Sequence, residues 1–143
     1  MPLRIAVLQR GDELRLFGVE PDVFDDPIDQ RRAREFLADP RHHLVAALDD
    51  ERVVGFISAV EYVHPDKPAP ELWINEVGVA DAYRGQGIGK QMLRAMLDLA
   101  TSRGCTEAWV LTDRSNAAAM RLYGSLGGRE SGAVMFTFPL ESQ

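Results

Sequence analysis

The stretch YRGQGIGK, residues 83–90, places three glycines at alternate positions directly before a helical pattern. Glycine loses more backbone entropy on folding than any other residue, so this helix start needs a reason. A strand, a glycine-rich turn and a helix N-terminus form an anion site, because unpaired N–H groups point outward and a phosphate can approach the bare backbone. Arg84 and Lys90 add positive charge. We predict a phosphate-binding turn, since a tight turn with close helix–sheet packing would explain only one or two of the glycines.

Two familiar phosphate motifs do not fit this stretch. The nucleotide-triphosphate loop G-x-x-x-x-G-K-[ST] would need glycine in place of Arg84 and Ser or Thr in place of Gln91. The dinucleotide motif G-x-G-x-x-G would need glycine in place of Lys90, and it belongs to a βαβ unit at the start of its fold. The stretch therefore indicates a phosphate ligand of another kind.

The hydrophobic periodicity predicts an α/β fold with the element order β-α-α-β-β-β-α-β-α-β. The residues Asp49-Asp50-Glu51 predict a hairpin turn between two of the strands. We expect one domain over residues 1–143, with a mixed, mostly antiparallel sheet of six or seven strands and about four helices. The predicted helices cover residues 12–18, 29–38, 88–103 and 115–127, and the predicted strands cover residues 4–8, 42–48, 52–63, 71–79, 107–111 and 133–140.

Charge and composition restrict the kinds of partner that the protein can bind. A net charge of −6 makes nucleic acid a poor partner, because phosphate binding needs clustered Lys and Arg, and it suits a cationic ligand. No apolar run reaches the ~20 residues of a membrane span, and the first residues lack a signal-peptide pattern. One cysteine, Cys105, and three histidines without metal-ligand spacing suggest no metal site. We expect a cytoplasmic, metal-free protein that binds neither nucleic acid nor membrane.

The glycine turn also satisfies the pattern [Q/R]-x-x-G-x-[G/A], at Arg84, Gly87 and Gly89. With its element order, the stretch NEVGVADAYRGQGIGK and the helix SNAAAMRLYGSLG, the chain resembles the GNAT superfamily of N-acetyltransferases along nearly its whole length. The segments FDDP, VAALDDERVVGFISAV, ELWINEVGV and LYGSLGGRE are most similar to the aminoglycoside 3-N-acetyltransferase branch. One departure is Gly128, where many members of the family have an aromatic residue.

The resemblance implies acetyl-coenzyme A (acetyl-CoA) as cosubstrate. By analogy with the family, backbone N–H groups of residues 85–90 would hold the pyrophosphate, and the pantetheine arm would pair with residues 77–79 like an added strand. The resemblance also implies that the N–H of Val79 polarises the thioester carbonyl and that Asn116 contacts the arm. The expected cofactor-binding residues are Val77, Gly78, Val79, Arg84, Gly85, Gln86, Gly87, Ile88, Gly89, Lys90 and Asn116.

Acetyl transfer to an amine needs a group that takes the proton of the amine and a proton for the departing thiolate. Glu76, just before the strand end, is the candidate base, acting directly or through water. The alternative is an acid that serves only solubility or a structural ion pair. Tyr123 is the candidate acid, because the resemblance places such a tyrosine in this helix. The alternative is a tyrosine packed under the helix with its hydroxyl on a backbone carbonyl.

The expected acceptor is the primary amine of a small cationic molecule, such as an amino sugar of the aminoglycoside type. Carboxylates of the variable loops would attract it, although any one of them alone is more simply a solvated acid. Two other functions stay open: acetylation of a protein or peptide amine, and a CoA-binding module without turnover. The last strand could also support a homodimer through its edge. The candidate acceptor carboxylates are Asp22, Asp25, Asp26, Glu71 and Asp113.

Overall fold

The computed structural model describes residues 3–142 and contains one five-stranded sheet with helices on both faces. The strands lie side by side in chain order; the first four are antiparallel, and the fifth runs parallel to the fourth. The predicted α/β class with a mixed, mostly antiparallel sheet is confirmed, but the predicted six or seven strands are five. They are β1 (Leu3–Val7), β2 (His42–Asp49), β3 (Arg52–Tyr62), β4 (Glu71–Val79) and β5 (Ala108–Val110).

The described residues also form three α-helices and two 3-10 helices, of which all but the last α-helix lie between strands. The α-helices are α1 (Gln30–Ala38), α2 (Ile88–Ser102) and α3 (Ala117–Ser125), and the 3-10 helices are Asp12–Gly18 and Asp81–Tyr83. The carboxylate of Asp29 accepts a hydrogen bond from the backbone N–H of Arg32, which caps α1 at the residue predicted for its start. Gly104 follows α2 with a φ of 82°, the left-handed conformation that ends many helices.

The predicted final strand is wrong. Residues 129–142 carry neither helix nor strand, and their side chains are exposed. Alternating apolar residues describe only how side chains would divide between two faces, whereas a strand also needs a neighbouring backbone for its hydrogen-bond ladder. Within the described chain, residues 133–140 have no such neighbour.

The sheet separates two apolar cores. On one face α2 buries Met92 and Met96 completely, and on the other face α1 and the first 3-10 helix bury Leu37 and Leu16. Successive residues of β2 contribute to the two cores in turn, because side chains alternate across a strand. Because helices cover both faces of the sheet, the middle strands are near-continuous apolar runs in the sequence.

A β-bulge in β4 sets the direction of the candidate base. The pairing of β3 with β4 slips by one residue between Ile74 and Glu76. Ile74, Val77 and Val79 all belong to the core on the α2 side. Even-numbered residues of β4 therefore face α2 before the slip, and odd-numbered residues face it after the slip. In a regular strand Glu76 would share the face of Ile74; the extra residue turns it to the opposite face.

A buried carboxylate ties the end of α2 to the sheet. Glu61 accepts a hydrogen bond of 2.8 Å from Nε of Arg103 and lies 3.1 Å from Nε2 of His43. Burial raises the pKa of Glu61, but the hydrogen bonds from Arg103 and His43 together outweigh burial, and the pKa lies below its ordinary value. A carboxyl with a lowered folded-state pKa stabilises the fold above its unfolded pKa, and this contribution is lost as the pH falls through the folded value.

The Glu61→Gln variant should lower the free energy of unfolding by about 1.5–3 kcal/mol at pH 7, because Arg103 and His43 lose a charged acceptor. The difference from the wild type should shrink as the pH falls from the ordinary carboxyl pKa of about 4.3 through the lower folded value. Urea unfolding at pH 7 and at pH 3 measures both. The control Glu35→Gln, in an exposed pair with Arg32, should unfold like the wild type. Equal stability of Glu61→Gln and the wild type at pH 7 would contradict the prediction.

Candidate active site

A cleft opens where β4 and β5 separate. The two strands pair only through Leu72, Trp73 and Ile74 with the three residues of β5. Beyond this pairing, residues 77–79 of β4 and residues 111–112, directly after β5, line one cleft of about 730 Å³. An unpaired strand edge inside a cleft can hydrogen-bond to an extended ligand that carries amide groups.

The glycine turn forms one end of this cleft. Gly85 and Gly87 have φ of 77° and 78°, in the left-handed region that favours glycine. Gly89 lies in the first turn of α2, and a Cβ there would approach only the Leu122 side chain, at 3.5 Å, which is an ordinary contact. Backbone conformation therefore requires two of the glycines, and neither conformation nor packing requires Gly89.

Six consecutive N–H groups are free in this turn. Within residues 3–142, the backbone N–H groups of residues 85–90 donate no hydrogen bond, and the first bond is donated by Gln91 to the carbonyl of Gly87 at 3.1 Å. The helix dipole of α2 adds partial positive charge at the same place. This geometry would suit a phosphate group that approaches the backbone, and phosphate binding stays a prediction.

Positive side chains line the same cleft. Arg84, Lys90 and Arg121 contribute to its walls. Arg84 is held in place, because its Nε lies 3.1 Å from a carboxylate oxygen of Asp81 and donates to the carbonyl of Val79 at 3.3 Å. The cleft is therefore complementary to an anion although the protein as a whole is acidic.

Gln86 is the exception among the predicted cofactor residues. Its side-chain amide donates to the carbonyl of Ala82 at 3.5 Å, and the residue does not line the cleft. Its side chain is therefore not part of the cleft wall, and its backbone N–H donates no hydrogen bond within residues 3–142. The other predicted cofactor-binding residues all line the cleft: Val77, Gly78, Val79, Arg84, Gly85, Gly87, Ile88, Gly89, Lys90 and Asn116.

Asn116 caps α3 from the wall of the cleft. Its side-chain oxygen accepts a 3.0 Å hydrogen bond from the backbone N–H of Ala119. The oxygen is thus occupied by the helix, and only the NH₂ of the side chain is left to donate to a ligand.

Tyr123 also lines the cleft, one helical face along α3. Burial raises the pKa of its hydroxyl, so the group stays protonated well above neutral pH. Within residues 3–142 this hydroxyl makes no hydrogen bond, so it does not have the backbone-carbonyl partner of the purely structural alternative. The backbone carbonyl of Tyr123 instead accepts from the N–H of Gly128 at 3.0 Å. A Cβ at position 128 would lie 2.8 Å from that oxygen, which explains the glycine where the family often has an aromatic residue.

A second cavity, here called the acidic groove, lies on the opposite face of the sheet. It encloses about 300 Å³ between α1, residues 24–29 and strands β3 and β4. Apolar side chains form its walls, and the rings of Phe24 and Phe56 stack at 3.8 Å. Four carboxylates line it against a single cation, Arg32. They belong to Asp25, Asp26, Asp29 and Glu76.

Glu76 lines both cavities. The bulge turns it toward the groove, while the next residues of β4 form the wall of the cleft. No ion pair to Glu76 exists among residues 3–142, so the structural ion pair considered as its alternative role is not formed there. A carboxylate without a charged partner at the junction of two cavities can exchange a proton with a ligand that reaches across.

Only some of the predicted acceptor carboxylates line the acidic groove. Asp25 and Asp26 line it, whereas Asp22 accepts from the N–H of Asp81 at 2.7 Å. Glu71 lies at the other end of β4, in hydrogen bonds with Tyr62 and His64. Asp113 is exposed outside the groove. The sequence did not predict that Asp29 lines the groove, because its position indicated only the N-cap of α1. The apolar walls of the groove were not predicted either.

The described residues offer little for metal binding, membrane crossing or thiol chemistry. Among residues 3–142, no group of His, Cys, Asp or Glu side chains could hold a metal ion. The helices found in that part of the chain are too short or too polar to cross a membrane. Cys105 is half-buried, and burial raises the pKa of its thiol, so the reactive thiolate is disfavoured at neutral pH.

Comparison with known proteins agrees with this geometry. The sequence profile of the Acetyltransferase (GNAT) family matches residues 11–127. The chain is 35% identical over 133 residues to the N-alpha-acetyltransferase RimI of Mycobacterium tuberculosis (strain ATCC 25618 / H37Rv), a match that covers 92% of this chain and 81% of that protein. A family match over most of the chain and a relative at this identity establish the family.

Solved structures share the fold. An aminoglycoside acetyltransferase, meta-AAC0020, from an uncultured soil metagenomic sample and in complex with sisomicin, aligns over 97% of each chain with a TM-score of 0.84 and 23% identity. The aminoglycoside acetyltransferase AAC(6')-Iy in complex with the bisubstrate analog CoA-S-monomethyl-acetylneamine aligns over 98% of this chain and 99% of that one, with a TM-score of 0.80 and 20% identity. At these identities the likeness shows the fold and not the acceptor.

Proposed function

Since this chain belongs to the acetyltransferase (GNAT) family and is an acetyl-CoA-dependent N-acetyltransferase, we propose that residues 1–143 form one catalytic domain that acetylates the primary amine of a small cationic acceptor bound in the acidic groove. The single observation that carries this proposal is the position of Glu76 in the walls of both cavities. An amine bound in the groove would meet a carboxylate at the place where the groove joins the cleft.

The cleft fits acetyl-CoA, which supplies an activated acetyl thioester when bound. The free N–H groups of residues 85–90, with Lys90 and Arg84, would hold its diphosphate. The unpaired edge of residues 77–79 and the NH₂ group of Asn116 would pair with the amides of its pantetheine arm. The backbone N–H of Val79 would lie against the thioester carbonyl.

Glu76 and Tyr123 would carry the proton transfers of the proposed reaction. A primary amine is protonated at neutral pH, and Glu76 would take its proton, directly or through water, so that the nitrogen lone pair is free to attack. Tyr123 would donate its hydroxyl proton to the sulfur as the carbon–sulfur bond breaks, and the second proton that the nitrogen loses on becoming an amide would return to Tyr123, directly or through water. The raised pKa of Tyr123 keeps that proton in place until it is needed.

The Tyr123→Phe variant should lower kcat by about 100-fold, because the departing thiolate loses its proton donor. The dissociation constant of acetyl-CoA should stay nearly unchanged, since the ring is kept and the hydroxyl has no partner within residues 3–142. Thiol release gives kcat, and calorimetric titration gives the affinity. The control Tyr62→Phe removes a hydroxyl that bonds to Glu71 away from the cleft and should leave kcat unchanged. Equal kcat for Tyr123→Phe and the wild type would remove Tyr123 from the mechanism.

The carboxylates of the groove and the net charge of −6 support a cationic small molecule, such as an amino sugar of the aminoglycoside type. The aminoglycoside acetyltransferase in complex with sisomicin shares this fold, which is compatible with a cationic acceptor. A second candidate is the N-terminal amine of a protein or peptide, which the apolar walls and the relative named N-alpha-acetyltransferase favour. The CoA-binding module without turnover that the sequence left open does not fit a member of an acetyltransferase family, and such a module would need neither Glu76 nor Tyr123.

The acceptor is tested by thiol release from acetyl-CoA with aminoglycosides, polyamines and short peptides. Two groove variants separate the candidates. Asp26→Asn should raise KM for an amino sugar or polyamine, because it removes a carboxylate from the groove. Phe24→Ala should raise KM for peptides whose first side chain is apolar, because it removes part of the apolar wall. Turnover of peptides alone would reject the small cationic acceptor, and no turnover with any amine would reject both candidates.

A further inference from the structure

The hydroxyl of Ser58 is buried without a hydrogen-bond partner. Ser58 lies in β3 and is 5% exposed, and within residues 3–142 its Oγ makes no hydrogen bond. Folded proteins pair almost all of their buried polar atoms, because a hydroxyl that leaves water without a new partner costs free energy. A partner from solution is therefore expected to complete the hydrogen bonding of Ser58.

Within the described residues, two other buried polar side chains also have an atom without a partner, but they lie elsewhere. They belong to Glu13 and His42, and neither residue lines the cleft or the acidic groove. Ser58 does line the groove. Of the unpartnered buried atoms in residues 3–142, only the hydroxyl of Ser58 thus belongs to the cavity proposed for the acceptor.

The pairing of β3 with β4 places Ser58 directly opposite Glu76. The two residues are register partners at the edge of the bulge. Phe56, two positions before Ser58, belongs to the core on the α1 side, whereas Ile57 belongs to the core on the α2 side. Since side chains alternate along a strand, Ser58 faces the groove, as Glu76 does. Residues paired in this way have Cβ atoms about 4.5–5.5 Å apart.

A hydroxyl and a carboxylate at this separation can share one small polar group. No hydrogen bond joins the side chains of Ser58 and Glu76 within residues 3–142. A nitrogen atom with several N–H groups can bridge the two, because it donates one hydrogen bond to each. The stacked rings of Phe24 and Phe56, which line the same groove, offer no oxygen or nitrogen acceptor. An amine at this place would therefore find its acceptors in Ser58 and Glu76.

We propose that Ser58 is a second contact for the reacting amine of the acceptor, which rests on the proposed function. The Oγ accepts a hydrogen bond from one N–H of the nitrogen, while Glu76 takes the proton of another. Ser58 itself transfers no proton. A change between staggered rotamers of the serine turns its hydroxyl toward the arriving amine.

The contact matters most after Glu76 has taken its proton. The charge attraction between the amine and Glu76 is then lost, and a neutral nitrogen needs another contact to stay at the junction of the groove and the cleft. The hydrogen bond to Ser58 persists, because a neutral primary amine still carries two N–H groups. It holds the nitrogen close to the thioester while the lone pair turns to attack, and such positioning contributes to the rate.

The matched variants Ser58→Thr and Ser58→Val test this contact, because their side chains have nearly the same shape and only threonine carries a hydroxyl. The acceptor is the one that the wild type turns over best among aminoglycosides, polyamines and short peptides. For Ser58→Val, kcat/KM should be about 10-fold or more below that of Ser58→Thr. The dissociation constant of the same acceptor, titrated in the presence of CoA, should be higher by a similar factor. The affinity for acetyl-CoA should be equal in both variants.

The Ser58→Ala variant separates an amine contact from a structural role without adding bulk to the core. Its melting temperature should equal or exceed that of the wild type, because the lost hydroxyl has no partner within residues 3–142. Its kcat/KM should fall by about 10-fold or more, and by the same factor for every acceptor, since the reacting nitrogen is common to all of them. A lower melting temperature with unchanged kcat/KM would show a structural role and overturn the proposal.

The kinetics of the wild type distinguish failure of this contact from failure of the proposed function. If the wild type acetylates an amine while Ser58→Thr and Ser58→Val have equal kcat/KM and equal acceptor affinity, only the contact with Ser58 is overturned. A loss in Ser58→Ala that differs strongly between acceptors would place Ser58 against the body of the acceptor, which also overturns the contact. If the wild type turns over no amine, the proposed function is rejected and the contact with it.

Discussion

The Glu76→Gln variant should lose about 100-fold or more in kcat/KM while its affinity for acetyl-CoA stays unchanged. A glutamine amide cannot accept the proton of the amine, and general-base catalysis commonly contributes a factor of this size. The substitution keeps the shape of the side chain, and within residues 3–142 Glu76 has no ion pair to lose. Thiol release with the best acceptor of the panel gives kcat/KM, and titration with acetyl-CoA gives the affinity.

The control for this variant is Glu107→Gln, an exposed acid directly before β5 that lines neither cavity. It should keep wild-type kinetics and affinity. Because the net charge changes equally in both variants, a loss confined to Glu76→Gln would identify the site and not the overall charge as its cause. Full activity of Glu76→Gln would refute Glu76 as the base and leave the deprotonation of the amine to solvent.

The Gly89→Ala variant should lower the affinity for acetyl-CoA by about 10-fold or more and should not lower the stability of the fold. A Cβ at this position makes only an ordinary contact with Leu122, so the protein itself has room for it. Alanine also favours a helix over glycine by up to about 1 kcal/mol. The methyl group would instead stand where a phosphate approaches the N–H groups, and a lost hydrogen bond to a charged group costs about 1.5–3 kcal/mol.

The matched control for this variant is Gly124→Ala, another helix glycine, at which an added Cβ meets nothing within 4 Å. Both variants should melt at or slightly above the wild-type temperature, and only Gly89→Ala should bind acetyl-CoA more weakly. Thermal unfolding and titration together decide the outcome. Unchanged affinity with a normal melting temperature would show that the phosphates do not approach Gly89, and a large drop in melting temperature would show that the glycine serves packing.

Local features were predictable because they depend on residues that are close in the chain. Asp50 and Glu51 have φ of 51° and 71°, as a tight hairpin between two strand patterns requires. Asp29 caps α1 through the nearby N–H of Arg32. The glycine turn follows the same logic, since positive φ at Gly85 and Gly87 and free N–H groups at a helix start are both short-range properties.

The candidate site was predictable only in part. The residues of the glycine turn lie in the cleft because they are neighbours in sequence, apart from the side chain of Gln86. The acceptor carboxylates were harder to choose, because loops distant in sequence converge on the groove. Asp29 and the stacked rings of Phe24 and Phe56 have no sequence pattern that marks them as neighbours of Glu76.

The amino-acid sequence by itself determined the α/β class, the hairpin, the caps and the conformation of the glycine turn, which follow from backbone sterics and hydrogen bonds within a few residues. Tertiary structure alone decided the facing of Glu76, because the bulge in β4 exists only through its pairing with β3. It also decided the state of residues 133–140. Alternating apolar residues carry a strand propensity, but a strand forms only when another backbone edge is within reach of its hydrogen bonds, and no edge within residues 3–142 meets this one.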